Sequence, residues 1–122
     1  MTDVPSREVT GSVIIGAELD SFSNASLRVL LEDVTLQDVS AEIVAETVVA
    51  HVDHAAGIID RHAFRLTAAK VDERASYAVR AHVDLSGNRE VDIGDSITME
   101  SYPVLTFGHP VADLSLVVKT VK

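Results

Sequence analysis

Apolar and polar residues alternate with a period of two along most of the chain, and this pattern predicts half-buried β-strands. The apolar positions that recur in this way are Val9, Gly11, Val13 and Ile15; Leu27, Val29 and Leu31; Val44 and Val48; Phe64, Leu66 and Ala68; Tyr77, Val79, Ala81 and Val83; Ile97 and Met99; and Leu114, Leu116 and Val118. About seven short strands in a chain of 122 residues predict an all-β fold, an antiparallel β-sandwich with Greek-key-like connections.

Turn-forming residues separate these runs. Ser, Asn, Asp, Gly and Pro occur between the strands, at 21–24, 53–57, 86–89 and 108–110. A chain of this length fits one domain. We therefore expect a flexible N-terminus at residues 1–7 and a single β-sandwich domain at residues 8–122.

The secondary structure of two segments is less clear from the pattern. Residues 39–49 can be drawn as an amphipathic helix, but their β-branched residues favour a strand. The run that begins at Ile97 and Met99 is expected to continue through residues 102–105 as one sixth strand. Pro103 belongs at an edge or a break in pairing, because proline lacks a backbone N–H.

The strand that begins at Tyr77 predicts particular contacts. A tyrosine after a polar corner often bonds back to the preceding backbone, and Arg80 alternates outward, where an acidic partner is expected. His82 and Asp84 also face away from the core, and His82 is expected at the surface. The predicted core residues are Val13, Val29, Leu31, Val44, Leu66, Tyr77, Val79, Ala81, Val83, Leu114 and Leu116.

The composition disfavours two classes of partner, nucleic acids and membranes. The formal net charge is −9, so the surface repels phosphate and anionic lipid, and we expect no nucleic-acid partner. No apolar run approaches the roughly 20 residues that cross a bilayer, so no membrane insertion is expected. The first residues have no signal-peptide pattern, which predicts a cytoplasmic protein; a periplasmic location is the alternative if an export signal was trimmed.

Several segments together resemble the family of type III secretion pilot lipoproteins and their stand-alone relatives, the YbaY-like proteins. The resemblance covers about residues 8–120, and the segments that carry it are 29–39, 43–46, 64–66, 77–81 and 102–106. It implies a compact β-sandwich. In the pilot branch it also implies a chaperone-like protein that binds a terminal segment of a secretin and helps deliver it to the outer membrane.

The resemblance does not carry over any functional residue, because its matching positions are apolar core and turn residues. A pilot lipoprotein is anchored through an N-terminal cysteine, and this sequence contains no cysteine. The resemblance therefore predicts a protein partner of the secretin kind rather than a specific site.

One polar cluster has spacing that could suit a metal ion. His51 and Asp53 point to the same side of a strand, and the turn at His54 could bring a third ligand close. Asp60 and His62 follow. The alternative is a set of ordinary polar side chains at a strand end, so a metal- or small-ligand-binding domain stays the second hypothesis, and no cofactor is expected.

Motifs for catalysis are missing from the sequence. No nucleophile elbow, phosphate loop or dinucleotide fingerprint occurs, so an enzyme is the third hypothesis and a non-enzymatic protein-interaction module is the first. Asp33 is interpreted as a cap of the following turn rather than as a general acid.

The final strand predicts an assembly. Val117 and Val121 lie on its outer face and need cover that a lone sandwich would not supply. The sequence leaves two alternatives for the oligomeric state, a symmetric dimer through these two valines and a monomer.

Overall fold

The structure is a computed structural model that describes residues 7–36 and 39–122. In this part of the chain the secondary structure consists of strands, with no helix. The strands are β1 (Arg7–Ile15), β2 (Phe22–Asp33), β3 (Glu42–His54), β4 (Asp60–Ala68), β5 (Tyr77–Asp84), β6 (Ser96–Thr98), β7 (Tyr102–Val104) and β8 (Leu114–Thr120). The all-β prediction is therefore confirmed.

Two sequence predictions fall partly outside the described residues. β1 starts at Arg7, whereas the rest of the predicted flexible N-terminus, residues 1–6, is not described. Gln37 and Asp38, which belong to a segment used for the family resemblance, also lie outside the described residues.

The strands follow one path, in the order β3-β2-β5-β6-β8-β1-β4, and β7 pairs with β5 beside that path. The two end strands, β3 and β4, contact each other, so the sheet is nearly closed in the manner of a barrel. The description as a two-sheet sandwich stays a prediction.

One pairing in this path is parallel rather than antiparallel. Residues 114–117 of β8 run parallel to β1, and residues 118–120 pair antiparallel with β6. A short hairpin forces two strands to pair antiparallel, but β1 and β8 are far apart in the sequence, so they can pair in either direction. Gly11 is needed at this pairing, because a Cβ there would overlap the carbonyl oxygen of Leu114.

The predicted sixth strand is two strands in the structure, which raises the count to eight. β6 ends at Thr98 and pairs with the end of β5, whereas β7 pairs with the start of β5. Met99 lies between them and is exposed. Pro103 sits in β7, whose strand pairing in the described residues is with β5 alone, so its missing N–H is tolerated on the open side.

The eleven residues predicted as core all lie in the core or against it, although Val44 and Leu114 are only partly buried. The backbone N–H of Asp72 donates a hydrogen bond to the Tyr77 hydroxyl at 2.9 Å, which is the predicted corner contact. Arg80 pairs with Glu32, with an Nε–Oε1 distance of 3.1 Å. These local predictions are correct because each depends on neighbouring strand positions.

The buried face of β3 differs from the prediction. Val48, placed on the buried face by its alternation with Val44, lies on the outer face opposite Arg28. A register shift between Leu31 and Glu32 of β2 inserts an extra residue into β3, so Val44 and Val48 do not share a face.

Candidate functional site

Two of the residues predicted to hold a metal are turned toward one asparagine. His51 is exposed, adopts a positive φ of 58°, and places its Nδ1 2.5 Å from Oδ1 of Asn24. Asp53, also exposed, accepts the backbone N–H of Asn24 at 2.8 Å. These contacts fix the irregular pairing between β2 and β3.

The third predicted ligand, His54, points inward. Its side chain is buried beside the ring of Phe22, at a centroid distance of 5.5 Å, and its Nδ1 lies 2.6 Å from Oδ2 of Asp60. The Nε2 atoms of His54 and His62 are both buried without a hydrogen-bond partner in the part of the chain that the structure describes. The structure thus does not bring His51, Asp53 and His54 together, and a metal role for them stays a prediction.

A buried polar network that the sequence analysis missed lies on the outer face of β2 and β5. Its buried groups are Arg28, His82, Asp84 and Asp95, and the exposed residue Glu46 of β3 pairs with Arg28. His82 is only 1% exposed, so its predicted surface position is wrong. His82 does face away from the core, as the alternation requires. The loop at 85–95, which joins β5 to β6, covers that face, and strand periodicity gives no signal of such a cover.

Asp95 holds one end of this loop. Its carboxylate lies 2.8 Å from Nε2 of His82 and accepts the backbone N–H groups of Leu85 and Asp92, each at 3.1 Å. Burial alone would raise the pKa of Asp95, but the hydrogen bonds from His82 and the two backbone N–H groups outweigh it and lower that pKa.

Asp84 holds the turn at the other end of the loop. Its two oxygens accept the backbone N–H groups of Gly87 at 3.0 Å and of Arg89 at 2.8 Å. Asp84 is buried and is the last residue of β5, so the turn folds back over the strand from which it starts. An aspartate that caps its own turn in this way is a local feature that the sequence could have revealed.

Arg28 joins the loop to β3. Its Nε and Nη2 donate to Glu46 at 3.0 and 2.8 Å, and its Nη1 donates to the carbonyl oxygen of Arg89 at 2.9 Å. Arg89 in turn places its Nη2 2.8 Å from the other Glu46 oxygen. Burial would raise the pKa of Glu46, but hydrogen bonds and charge from the two arginines lower it.

His82, Asp84 and Asp95 have ligand atoms within 4.8 Å of one another, a spacing that a cation site would require. The carboxylates already accept backbone N–H groups, and Arg28 brings a positive charge to within 3.5 Å of His82. A cation would have to displace those bonds and oppose that charge. The donor set therefore fits a structural anchor for the loop better than a metal centre.

A different surface is open to a partner. β3 hydrogen-bonds to β2 along one edge and lies at the end of the strand path. Ile43 and Val48 on this strand are 50% and 47% exposed. A cleft with a volume of about 500 Å³ lies at the start of β3, lined by the exposed Leu36 and Val39 and by acidic residues that include Glu42.

Comparison with known proteins identifies the family. A family profile described as Type III secretion system lipoprotein chaperone (YscW) matches residues 4–116. The chain belongs to this family. The resemblance to pilot lipoproteins predicted from the sequence is confirmed.

A solved structure similar to this member of the family is that of an alternative pilotin from the type II secretion system of Vibrio cholerae. The two share 25% sequence identity and a TM-score of 0.68, and the match covers 94% of this chain and 98% of the pilotin. Among curated proteins, no relative matches. In the described residues, no helix has the length and apolarity that a membrane crossing demands.

The two valines predicted to form a dimer face are half-buried in the single chain. The N–H of Val117 donates to the Tyr102 hydroxyl at 3.1 Å. Val121 exchanges backbone bonds with Gly94 and Asp95, each at 2.8 Å. These contacts tie β8 to its own domain, and the dimer stays a prediction.

Proposed function

We propose that this chain is a non-enzymatic, pilot-like chaperone that binds a segment of a secretin-like partner protein. The observation that carries the proposal is the family match over residues 4–116. The similarity to a type II secretion pilotin along nearly the whole of both chains supports it.

The buried polar residues are consistent with this proposal. The carboxylates of Asp84 and Asp95 are engaged by backbone N–H groups, and Arg28 is engaged by Glu46. Groups that are satisfied within the fold serve stability, because a catalytic acid or base needs access to a substrate. The exposed features are instead an open strand edge and a cleft, which are surfaces that peptides recognise.

The test is the assembly of the secretin in cells. The gene for this chain is deleted in its own organism, and the multimers of each encoded secretin are measured in outer-membrane fractions. We expect one secretin to lose its outer-membrane multimers and to regain them when the gene is restored. Unchanged multimers of every secretin would contradict the proposal.

We also propose three further properties of this chain. The first is the two-sheet sandwich, supported by the way β8 pairs in turn with β1 and β6. The second is a symmetric dimer through Val117 and Val121, tested by light scattering of the wild type and of Val117→Glu. The third is the cellular location, cytoplasmic or periplasmic, which fractionation of the native organism distinguishes.

A further inference from the structure

The free edge of β3 is a stretch of extended backbone without a partner strand. β3 is 13 residues long and pairs with β2 alone, and its ladder with β2 runs without a shift from Ala45 to Val49. On the opposite edge, residues 42–50 belong to no ladder in the described part of the chain. Unpaired N–H and C=O groups in this arrangement are a template for an added strand.

The sequence of this edge does not protect it. Proteins commonly guard edge strands with Lys, Pro or an inward charge, and residues 42–50 contain no Lys, Arg, Pro or Gly. The strand at the other end of the path, β4, carries Arg61 and Arg65 on its exposed side. The two ends of the sheet are therefore different surfaces, and the β3 end is the one suited to pairing.

The inner side chains of β3 are incompletely covered. Ala45, Thr47 and Val49 face the core side, because they pair with the fully buried β2 residues at 31, 29 and 27. All three are nevertheless only half-buried. An added strand that placed apolar side chains at alternate positions would cover them, since successive side chains of a strand point to opposite faces.

The acidic residues around β3 indicate the charge of the segment that would bind there. Glu42 is the first residue of β3, and it lines the cleft beside this strand together with Asp33 and Asp72. Arg74 is the cationic residue among the described residues that line the cleft. A segment with Lys or Arg at its outward positions would complement this surface. A second copy of the chain fits less well, because antiparallel pairing of two β3 edges would bring acidic strands of two chains of charge −9 together.

We propose that the free edge of β3, from Glu42 to Ala50, binds an extended, cationic segment of a partner protein by strand addition. The segment has apolar residues at alternate positions that cover Ala45, Thr47 and Val49. This inference rests on the proposed function and names its binding surface.

The probe is a synthetic peptide of alternating Lys and Val, added to the full-length, ¹⁵N-labelled protein. We expect the amide signals of residues 42–50 to shift and their hydrogen exchange to slow. A peptide of the same charge interrupted by proline should do neither, because it cannot form the ladder. Glu42→Lys and Val48→Lys should each weaken binding about tenfold, through charge repulsion and a guarded edge.

The matched control is Glu100→Lys, which makes the same charge change at an exposed residue between β6 and β7. Its affinity for the peptide should stay within about twofold of the wild type. Equal weakening by Glu100→Lys, or signal shifts confined to β4, would overturn the proposal. Concentration-dependent slowing of exchange at 42–50 without peptide would also overturn it, in favour of a second copy.

A second arm separates this inference from the proposed function. Terminal segments of the secretins encoded in the same genome are titrated into the labelled protein. Binding that leaves the signals of residues 42–50 unchanged overturns the edge proposal and leaves the pilot function standing. Binding of the Lys-Val peptide at this edge, with no secretin segment bound, supports the edge and contradicts the pilot function.

Discussion

Arg28 is the residue that holds the outer face of the sheet together. It lies on β2, contacts Glu46 on β3, and reaches the backbone of Arg89 in the loop that covers β5. A buried guanidinium is stable only when its donors are satisfied, and here a carboxylate and a carbonyl oxygen satisfy them. The residues around it therefore form one hydrogen-bonded unit that joins β2, β3 and the loop at 85–95.

Loss of the Asp95 carboxylate tests this unit. Asp95→Ala leaves His82 and the N–H groups of Leu85 and Asp92 without their acceptor. The free energy of unfolding should fall by about 2–4 kcal/mol, because buried polar groups lose their partners. Urea denaturation measures the loss. The exposed Asp20→Ala should change it by less than about 0.5 kcal/mol, and an equally small effect of Asp95→Ala would contradict the account.

Acidification should destabilise the protein through the same carboxylates. Burial would raise the pKa values of Asp95 and Glu46, but hydrogen bonds to both carboxylates, together with arginine charge at Glu46, lower them below their ordinary values. The unfolded state therefore binds protons first, and stability is lost as the pH falls from about 5 through the folded-state pKa values. Denaturation at a series of pH values should show a shallower acid loss in Glu46→Gln than in the wild type.

Residue contacts were predictable where they follow from neighbours along a strand. Tyr77 bonding to the preceding backbone and Arg80 pairing with an acid are of this kind, and so is Asp33, whose carboxylate accepts the N–H of Thr35 at 2.9 Å. The burial of His82 was not predictable, because it depends on where the loop at 85–95 folds.

At the scale of elements, the path of strands is set by two features that alternation does not encode. β8 divides its pairing between β1 and β6, and the extra residue that β3 carries opposite Leu31 and Glu32 changes which residues of β3 face the core. The periodicity predicted that these segments are strands. Their partners and direction come from long-range packing, so the parallel ladder and the open β3 edge emerged only in the structure.

The close approach of β8 to β1 predicts that a side chain at position 11 destabilises the protein. Gly11→Val adds a side chain that would overlap the backbone of Leu114. Separation of the two strands should lower the free energy of unfolding by about 1–3 kcal/mol, as overpacking does. Thermal denaturation measures it. Thr67→Val, at an exposed position of β4, is the control and should leave the melting temperature nearly unchanged; equal behaviour of both variants would contradict the described pairing.

In the described residues, the whole molecule combines a packed core with a strand path that has two end strands, β3 and β4. Arg28, Asp84 and Asp95 of its buried polar network have hydrogen-bond partners within the fold, whereas β3 ends the strand path with an unpaired edge in the described residues. A chain of net charge −9 that presents such an edge is suited to capture a basic, extended segment. The family match gives that segment its expected source, a protein of a secretion system.

Calorimetric titration of the full chain with the terminal segments of secretins from the same genome tests the central claim most directly. We expect one segment to bind with a dissociation constant of about 1 μM or tighter, and more weakly as salt is raised, since the surface is acidic. Scrambled versions of that segment should not bind. No heat of binding from any secretin segment at low salt would contradict the account of this protein as a pilot-like chaperone.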